Sequence, residues 1–243
     1  MEPTVPQLSL LVGLGNPGNR YRGTRHNVGF ECVEGVLAEL SGRCEEPLTG
    51  GILERGTLHP EISGAGVGRP LLLLRPMLYM NRSGGPTVEV ARRFGLPPSR
   101  ILAVYDDLDL PLGRLRLRLS GGSGGHNGVR DLIDRLAEIG EGQPNAEGQP
   151  NADSLAESKP EPFPRIRLGI GRPTEGNTES HVLGRFTEAE RSIADAMVAT
   201  AVRAVRAWVL EGIRFAMNEF NRVEESSSTS DDAPAPLAPT PEE

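Results

Sequence analysis

Residues 10–30, LLVGLGNPGNRYRGTRHNVGF, contain the pattern that decides the fold. The aliphatic run 8–14 is short and closed by glycine, which predicts a buried strand. From Val28 onward the apolar residues fall at helical spacing, which predicts a helix. The loop from Asn16 to His26 joins the two and begins among glycines spaced G-x-G-x-x-G. Such a turn is typical of α/β domains that bind a ligand at the end of a strand.

The glycine spacing alone also fits a dinucleotide-binding fingerprint. That fingerprint requires the third glycine to open a helix and an acidic residue to end the second strand, about 20 residues further on. Gly18 is followed by NRYRGTRHN, which has no apolar helical face, and the acid near the expected distance, Glu39, falls inside the predicted helix. The pattern therefore favours glycines that let the backbone turn tightly and leave Asn16 open to a ligand. A dinucleotide-binding protein stays as the more distant alternative.

Further along the chain, aliphatic strands alternate with helices. Arginine and leucine also alternate in two segments, which predicts strands with one basic face. Alternation of this kind indicates a single three-layer α/β domain. The predicted strands are 8–14, 70–75, 101–105, 114–120 and 165–171; the predicted helices begin at Val28, Gly84 and Val129, with a long one capped by Thr187 and Glu190 and a last one between Gly212 and Asn221.

Two segments are too polar to join a core. Residues 140–162 and 224–243 are rich in Pro, Gly, Ser and acidic residues and poor in aliphatic ones. Segments of this composition cannot bury enough apolar surface to offset the entropy lost on ordering. The sequence therefore predicts one domain over 1–223, with a flexible insert at 140–162 and a disordered acidic tail at 224–243.

The acidic net charge of the chain comes from these same two segments. The tail carries six acidic residues and no basic one, and the insert carries five acids and one lysine, so the rest of the chain has a formal charge of +3 against −7 overall. A mildly basic domain is compatible with an anionic partner such as nucleic acid.

Nothing in the sequence indicates secretion, a membrane span or a metal quartet. Cys32 and Cys44 are the only cysteines, and we expect both to be reduced. The N-terminus lacks the basic start and apolar core of a signal peptide. We therefore expect a cytoplasmic protein without bound metal or membrane contact.

Polar side chains follow several of the predicted strands. Taken singly, each has an ordinary explanation, such as a turn residue or, for Asp106, Asp107 and Asp109, a solvated turn or a cation site. In an open α/β sheet, however, the loops after parallel strands share one crevice in which ligands bind. The residues that we expect in this crevice are Asn16, His26, Tyr79, Asn81, Asp106 and Asn127.

Five stretches together resemble the bacterial peptidyl-tRNA hydrolase family, and they occur in that family's order over roughly residues 8–222. The resemblance implies a mixed, largely parallel sheet between helices. It also implies a monomeric esterase that uses no cofactor and cleaves the ester between a peptide and the 3′-terminal ribose of tRNA. The stretches are VGLGNPGNRYRGTRHNVGF, RPMLYMNRSG, DDLDLPLGRLRLRLSGGSGGHNG, FPRIRLGIGRP and HVLGRF.

The resemblance also implies a role for each candidate residue. His26 matches the base that activates water, and Asp106 matches the carboxylate that orients its ring. Asn16 matches the position that distinguishes blocked from free aminoacyl groups. The remaining matches are Asn81 and Asn127, which hold the peptide and the tRNA end, and Tyr21 and Tyr79, which line the site beside the 3′ end.

Three arginines are our candidates for contacts with the phosphates of the tRNA acceptor stem: Arg116, Arg118 and Arg130. Two positions depart from the family pattern, because Tyr105 stands where histidine is usual and Arg75 where lysine is frequent. The main alternative function is that of a non-catalytic RNA-binding relative of the same fold. The intact set of His26, Asp106 and asparagines favours the enzyme.

Overall fold

The computed structural model describes residues 7–60, 67–140 and 163–222. The strands are β1 Ser9–Gly13, β2 Ser41–Glu46, β3 Gly51–Leu58, β4 Arg69–Pro76, β5 Ile101–Asp107, β6 Leu115–Arg118 and β7 Arg165–Gly169. The α-helices are α1 Val28–Glu39, α2 Gly84–Phe94, α3 Asn127–Gly140, α4 Thr178–Leu183, α5 Glu188–Glu211 and α6 Ile213–Phe220.

The strands form one seven-stranded mixed sheet in the order β2-β3-β4-β1-β5-β7-β6. The central strands β4, β1, β5 and β7 are parallel. Antiparallel pairing occurs toward the edges, where β2 and β3 extend one side and β6 closes the other. The predicted mixed sheet with a parallel centre is therefore confirmed, and the carboxyl ends of its central strands meet at one edge.

Helices cover both faces of this sheet, which confirms the three-layer α/β class. Leu11 of β1 packs in a buried cluster with Val33 of α1 and Val205 of α5. Its neighbour Leu10 points to the opposite face and joins a second cluster with Val90 of α2 and residues of α3. Because both faces are buried, the central strands consist of continuous aliphatic runs, as the sequence indicated.

The edge strands β2 and β3 and the short helix α4 were not predicted. Residues 41–46 are almost wholly exposed and carry polar side chains, so they show no hydrophobic period. At the other edge, β6 ends at Arg118, two residues earlier than predicted. Leu119 is consequently exposed, whereas Leu115 and Leu117 are buried as expected.

The long C-terminal helix forms as predicted. Thr187 and Glu190 make the reciprocal capping box at the start of α5, and Gly212, with φ 92°, separates α5 from α6. Within the described residues, no helix is both long and apolar enough to cross a bilayer. The tail 224–243 and all but the first residue of the insert 140–162 lie outside those residues.

Two glycines, Gly13 of the motif and Gly29 of α1, bring α1 against the end of β1. A methyl group on Gly29 would lie 2.6 Å from the backbone N and O of Leu14 and closer still to the carbonyl oxygen of Val104. Gly13 faces the carbonyl of Gly29 in the same contact. Gly18, by contrast, precedes only a three-residue 3-10 turn. The glycines therefore serve tight helix–sheet packing, and the helix start that a dinucleotide site needs is missing at Gly18.

We expect Gly29→Ala to lower the free energy of unfolding by about 1–3 kcal/mol, because the added methyl group overpacks a backbone contact. Gly85→Ala is the matched control, since its new methyl group meets no atom within 4 Å in the first turn of α2. That control should leave stability unchanged or raise it by up to about 1 kcal/mol. Urea unfolding followed by circular dichroism measures both, and identical midpoints for Gly29→Ala and wild type would refute this role.

Candidate active site

A cleft of about 650 Å³ opens where the central strands end. It is bounded by the loops that follow β1, β4 and β5, by the glycine-rich loop before α3, and by α4. Arg116, Arg118 and Arg130 are not among its lining residues. Seven of the candidate residues line it together: Asn16, Tyr21, His26, Tyr79, Asn81, Asp106 and Asn127.

His26 and Asp106 form a close pair in this cleft. Nδ1 of His26 lies 2.7 Å from Oδ1 of Asp106, at the end of β5. A carboxylate accepts hydrogen bonds, so in the neutral ring Nδ1 carries the proton and Nε2 keeps its lone pair. The arrangement leaves Nε2 free to take a proton from a water molecule, which is the geometry of an oriented general base.

Asp106 is held as an anion although it is only 3% exposed. Burial disfavours the charged form, but hydrogen bonds from His126 and His26 outweigh that effect and hold the pKa of the carboxyl below its usual range. The carboxylate therefore stays ionised at neutral pH, ready to stabilise an imidazolium at His26.

His126 is a member of the site that the sequence analysis missed. Its Nε2 lies 3.1 Å from the same Asp106 oxygen, and its ring centroid lies 5.0 Å from that of His26. The backbone N–H of Val129 donates to Nδ1 of His126 at 3.2 Å, so the neutral ring must carry its proton on Nε2. His126 is thus set as a donor to Asp106. The signal was available, since His126 directly precedes Asn127 in the same loop.

Asn16 is fixed in one orientation by its neighbours. Its side-chain oxygen accepts from the backbone N–H of Met80 at 2.9 Å, which turns the carboxamide nitrogen away from that contact. Asn27 clamps the Asn16 backbone, since it accepts from the Asn16 N–H and donates to the Asn16 carbonyl, each at 2.9 Å. The NH2 group of Asn16 is therefore available as a neutral donor beside His26. Asn27 was not identified from sequence.

Arg25 secures the short 3-10 turn Arg25–Asn27 that carries His26. Its guanidinium is buried over the ring of Phe186, donates to the carbonyl of Arg185 at 2.9 Å and pairs with Glu190 at 2.6 Å. The start of α5 is thereby tied to the residue next to the base.

The acidic residues after Asp106 have arginine partners of their own. Asp107 pairs with Arg167, and Asp109 pairs with Arg172. Each pairs with an arginine through one carboxylate oxygen, and among the described residues neither joins Asp106 in a group of possible metal ligands, so the structure does not support a cation site in this turn.

Distance alone would also allow a metal at His26, Asp106 and His126, whose donor atoms lie within 4.8 Å of one another. A metal on Nε2 of His126 would require a proton on Nδ1. That proton would face the N–H of Val129, which already donates to Nδ1. Ligating histidines normally donate from their second nitrogen to an acceptor. The hydrogen-bonding pattern fits a proton-transfer cluster better than a metal centre.

Comparison with known proteins identifies the family of this chain. The family profile described as peptidyl-tRNA hydrolase matches residues 10–149 and 148–229. A peptidyl-tRNA hydrolase from Synechococcus sp. (strain JA-3-3Ab) is 42% identical over 239 residues, which span 98% of this chain and 93% of the relative. The chain belongs to the peptidyl-tRNA hydrolase family.

Other peptidyl-tRNA hydrolases are similar over nearly their whole length. The protein from Carboxydothermus hydrogenoformans is 39% identical over 88% of this chain and 98% of its own. The crystal structure of peptidyl-tRNA hydrolase from Acinetobacter baumannii has a TM-score of 0.70 and 33% identity, covering 90% of this chain and 97% of that one. The fold described above is therefore that of solved peptidyl-tRNA hydrolases.

Asp106→Asn keeps the shape of the side chain and removes its charge. Because the folded-state pKa of Asp106 lies below the unfolded value, the carboxylate stabilises the fold fully above about pH 4, and this contribution is lost as the pH falls toward the folded pKa. Between about pH 4 and pH 2, wild type should lose stability relative to Asp106→Asn by up to about 1.4 kcal/mol per pH unit. Urea unfolding across this range checks it, and parallel curves would contradict it.

Proposed function

We propose that this chain is a peptidyl-tRNA hydrolase that cleaves the ester between a peptide and the 3′-terminal ribose of tRNA. The observation that carries the proposal is the His26–Asp106 pair at 2.7 Å, with the Asn16 carboxamide beside it in an open cleft. Family membership supports the same reaction.

In the proposed mechanism, Nε2 of His26 takes a proton from water as the water oxygen attacks the ester carbonyl. Asp106 stabilises the imidazolium that forms. The tetrahedral oxyanion then collapses, the bond to the ribose oxygen breaks, and the imidazolium returns its proton to that oxygen. One water and one ester become a free carboxylic acid and a tRNA with its terminal hydroxyl restored, so the residues end in their starting states.

Neutral amides suit the other roles in this site. The NH2 group of Asn16 is a donor for the polarised carbonyl or for the blocked amine of the substrate. Asn81 and Asn127 are exposed at the cleft and offer both donors and acceptors to a peptide and to the tRNA end. Because amides add no charge, they can hold peptides of any sequence beside the anionic phosphates of the tRNA.

Aromatic and basic residues are the proposed contacts to tRNA. Tyr79 is 55% exposed at the rim of the cleft, and Tyr21 lines it further in. Aromatic rings of this kind stack on unpaired bases such as those of the 3′ CCA end. Arg118 and Arg130 are exposed and suited to acceptor-stem phosphates, with Arg116 half-buried on the same strand as Arg118. Following the family resemblance, we propose a monomer that acts in the cytoplasm, where translation releases peptidyl-tRNA.

The decisive experiment is single-turnover hydrolysis of N-acetyl-aminoacyl-tRNA, with free aminoacyl-tRNA as the matched substrate. Wild type should release the blocked amino acid and leave the free one attached. His26→Ala should lower the rate constant at least about a hundredfold, because it removes the base. Thermal melting of the variant confirms that it is folded.

Tight tRNA binding by wild type with no release from either substrate would establish the alternative, a non-catalytic RNA-binding relative. Equal release from both substrates would instead show an esterase without selectivity for the blocked amine, and would remove that role from Asn16.

Arg118→Glu and Arg130→Glu should each weaken tRNA binding. The plot of log K against log salt should also become less steep, by about 0.9 for every phosphate that the protein no longer neutralises. Arg203→Glu is the matched control, because Arg203 is an exposed arginine on α5 outside the cleft. Filter binding of deacylated tRNA across a salt series measures the slopes. If charge reversal at 118 and 130 changes binding no more than at 203, these arginines do not contact the phosphates.

A further inference from the structure

Arg165 is a buried cation for which the proposed reaction has no use. It lies at the start of β7 and is only 3% exposed. Among residues 7–60, 67–140 and 163–222, no carboxylate pairs with it. Its Nη1 instead donates to the carbonyl oxygens of Gly121 at 2.9 Å and Gly122 at 3.1 Å.

The surroundings of this guanidinium make its burial costly. Desolvation lowers the pKa of Arg165, as does the nearby Arg167, and among the groups that act on it only Tyr105 opposes them. An arginine nonetheless stays protonated in proteins, so the charge must be accommodated. The ring of Phe163, with its centroid 4.2 Å from the guanidinium carbon, and the carbonyls of Gly121 and Gly122 provide that accommodation, whereas the buried Nε of Arg165 has no hydrogen-bond partner among the described residues. A buried arginine that is kept although one of its N–H groups lacks a partner is a candidate for a positioning task.

Within the described residues, the loop that Arg165 contacts has few other fixed contacts, among them the hydrogen bond from the N–H of His126 to the carbonyl of Ser123 at 2.9 Å. Residues 119–125 are all exposed except half-buried Ser123, and their glycines have no side chains to pack. Gly124 and Gly125 adopt φ of 56° and 81°, values that few other residues adopt. Yet this loop leads directly into His126 and Asn127, both of which line the cleft. Its conformation therefore decides where these two side chains stand.

Tyr105 links the buried cation to the catalytic cluster. Its pKa responds to the charge of Arg165, and its ring lies 4.9 Å from the ring of His126 at an angle of 57°. It immediately precedes Asp106 on β5, and it is the position at which the sequence departs from the usual histidine of the family. Tyr105 thus interacts electrostatically with Arg165 on one side and packs against His126 on the other, and His126 donates to the carboxylate of Asp106.

We propose that Arg165 is a positioning residue: seated on Phe163 and Tyr105, it fixes the glycine-rich loop 119–126 and thereby orients His126 and Asn127 for ester cleavage. The inference rests on the proposed function. A lysine could place its charge near both carbonyls. It has no planar group, however, that could pack over the Phe163 ring and interact with Tyr105 at the same time. The proposed role therefore depends on the size and planarity of the guanidinium as well as on its charge.

The test compares Arg165→Lys and Arg165→Met with wild type in single-turnover hydrolysis of N-acetyl-aminoacyl-tRNA and in amide hydrogen exchange. Loss of orientation should slow Arg165→Met by about ten- to a hundredfold at saturating substrate. Arg165→Lys should fall between it and wild type. Amides of 119–126 should exchange faster in the same order, while those of β1 and β5 stay protected. Tyr105→Phe, which keeps the ring against His126 and removes the hydroxyl, should show a smaller loss of rate than Arg165→Met.

Arg206→Lys is the matched control, because Arg206 also donates to a backbone carbonyl, that of His59, but it pairs with Glu39 and does not line the cleft. It should keep wild-type rate and loop exchange. Wild-type rate and loop protection in Arg165→Met would overturn the proposal, as would exchange that rises equally throughout the fold, which marks a purely structural role. If wild type itself releases no peptide, the proposed function fails, while the exchange data still show whether Arg165 holds the loop.

Discussion

The site depends on one buried carboxylate that accepts hydrogen bonds from two imidazoles. Asp106 is ionised in the interior only because His26 and His126 both donate to it. The three residues come from the loop after β1, the end of β5 and the start of α3. The hydrogen bonds therefore form only when all three segments are correctly placed relative to one another. The backbone contact between Gly13 and Gly29 sets the first segment against the sheet, and Arg25 secures it from the other side.

The parallel centre of the sheet was predictable because its strands are buried on both faces and therefore consist of continuous aliphatic runs. The same argument explains why β2 and β3 escaped prediction. They lie at an edge of the sheet, and the exposed polar side chains of β2 leave no periodic pattern in the sequence. These two strands are held in the sheet because β2 pairs with β3 and β3 pairs with β4. Secondary structure that tertiary pairing imposes cannot be found from local pattern.

Some residues of the candidate site could likewise be predicted from the sequence, and others could not. Residues that follow aliphatic strands, such as Asn16 and Asp106, could be placed at one sheet edge from the strand pattern, and family resemblance suggested their roles. His126, Asn27 and Arg165 were missed because their importance lies in contacts across long chain separations. Nothing in the local sequence around Arg165 distinguishes it from Arg167, yet one is buried on carbonyls and the other pairs with Asp107. Only the packed structure separates the two.

Two histidines and an aspartate within a few ångströms match the geometry of a metal site as well as that of a proton-transfer site. The two kinds of site can be distinguished by the hydrogen-bond partner of the second nitrogen of each imidazole ring. At His126 that partner is the N–H of Val129, a donor, so the ring must send its own proton toward Asp106. An acceptor in the place of that amide would favour the tautomer with its proton on Nδ1 and leave the lone pair of Nε2 available to a metal. A single backbone amide at the start of α3 thus favours the tautomer in which His126 donates to Asp106, and the position of that amide depends on the loop leading into α3.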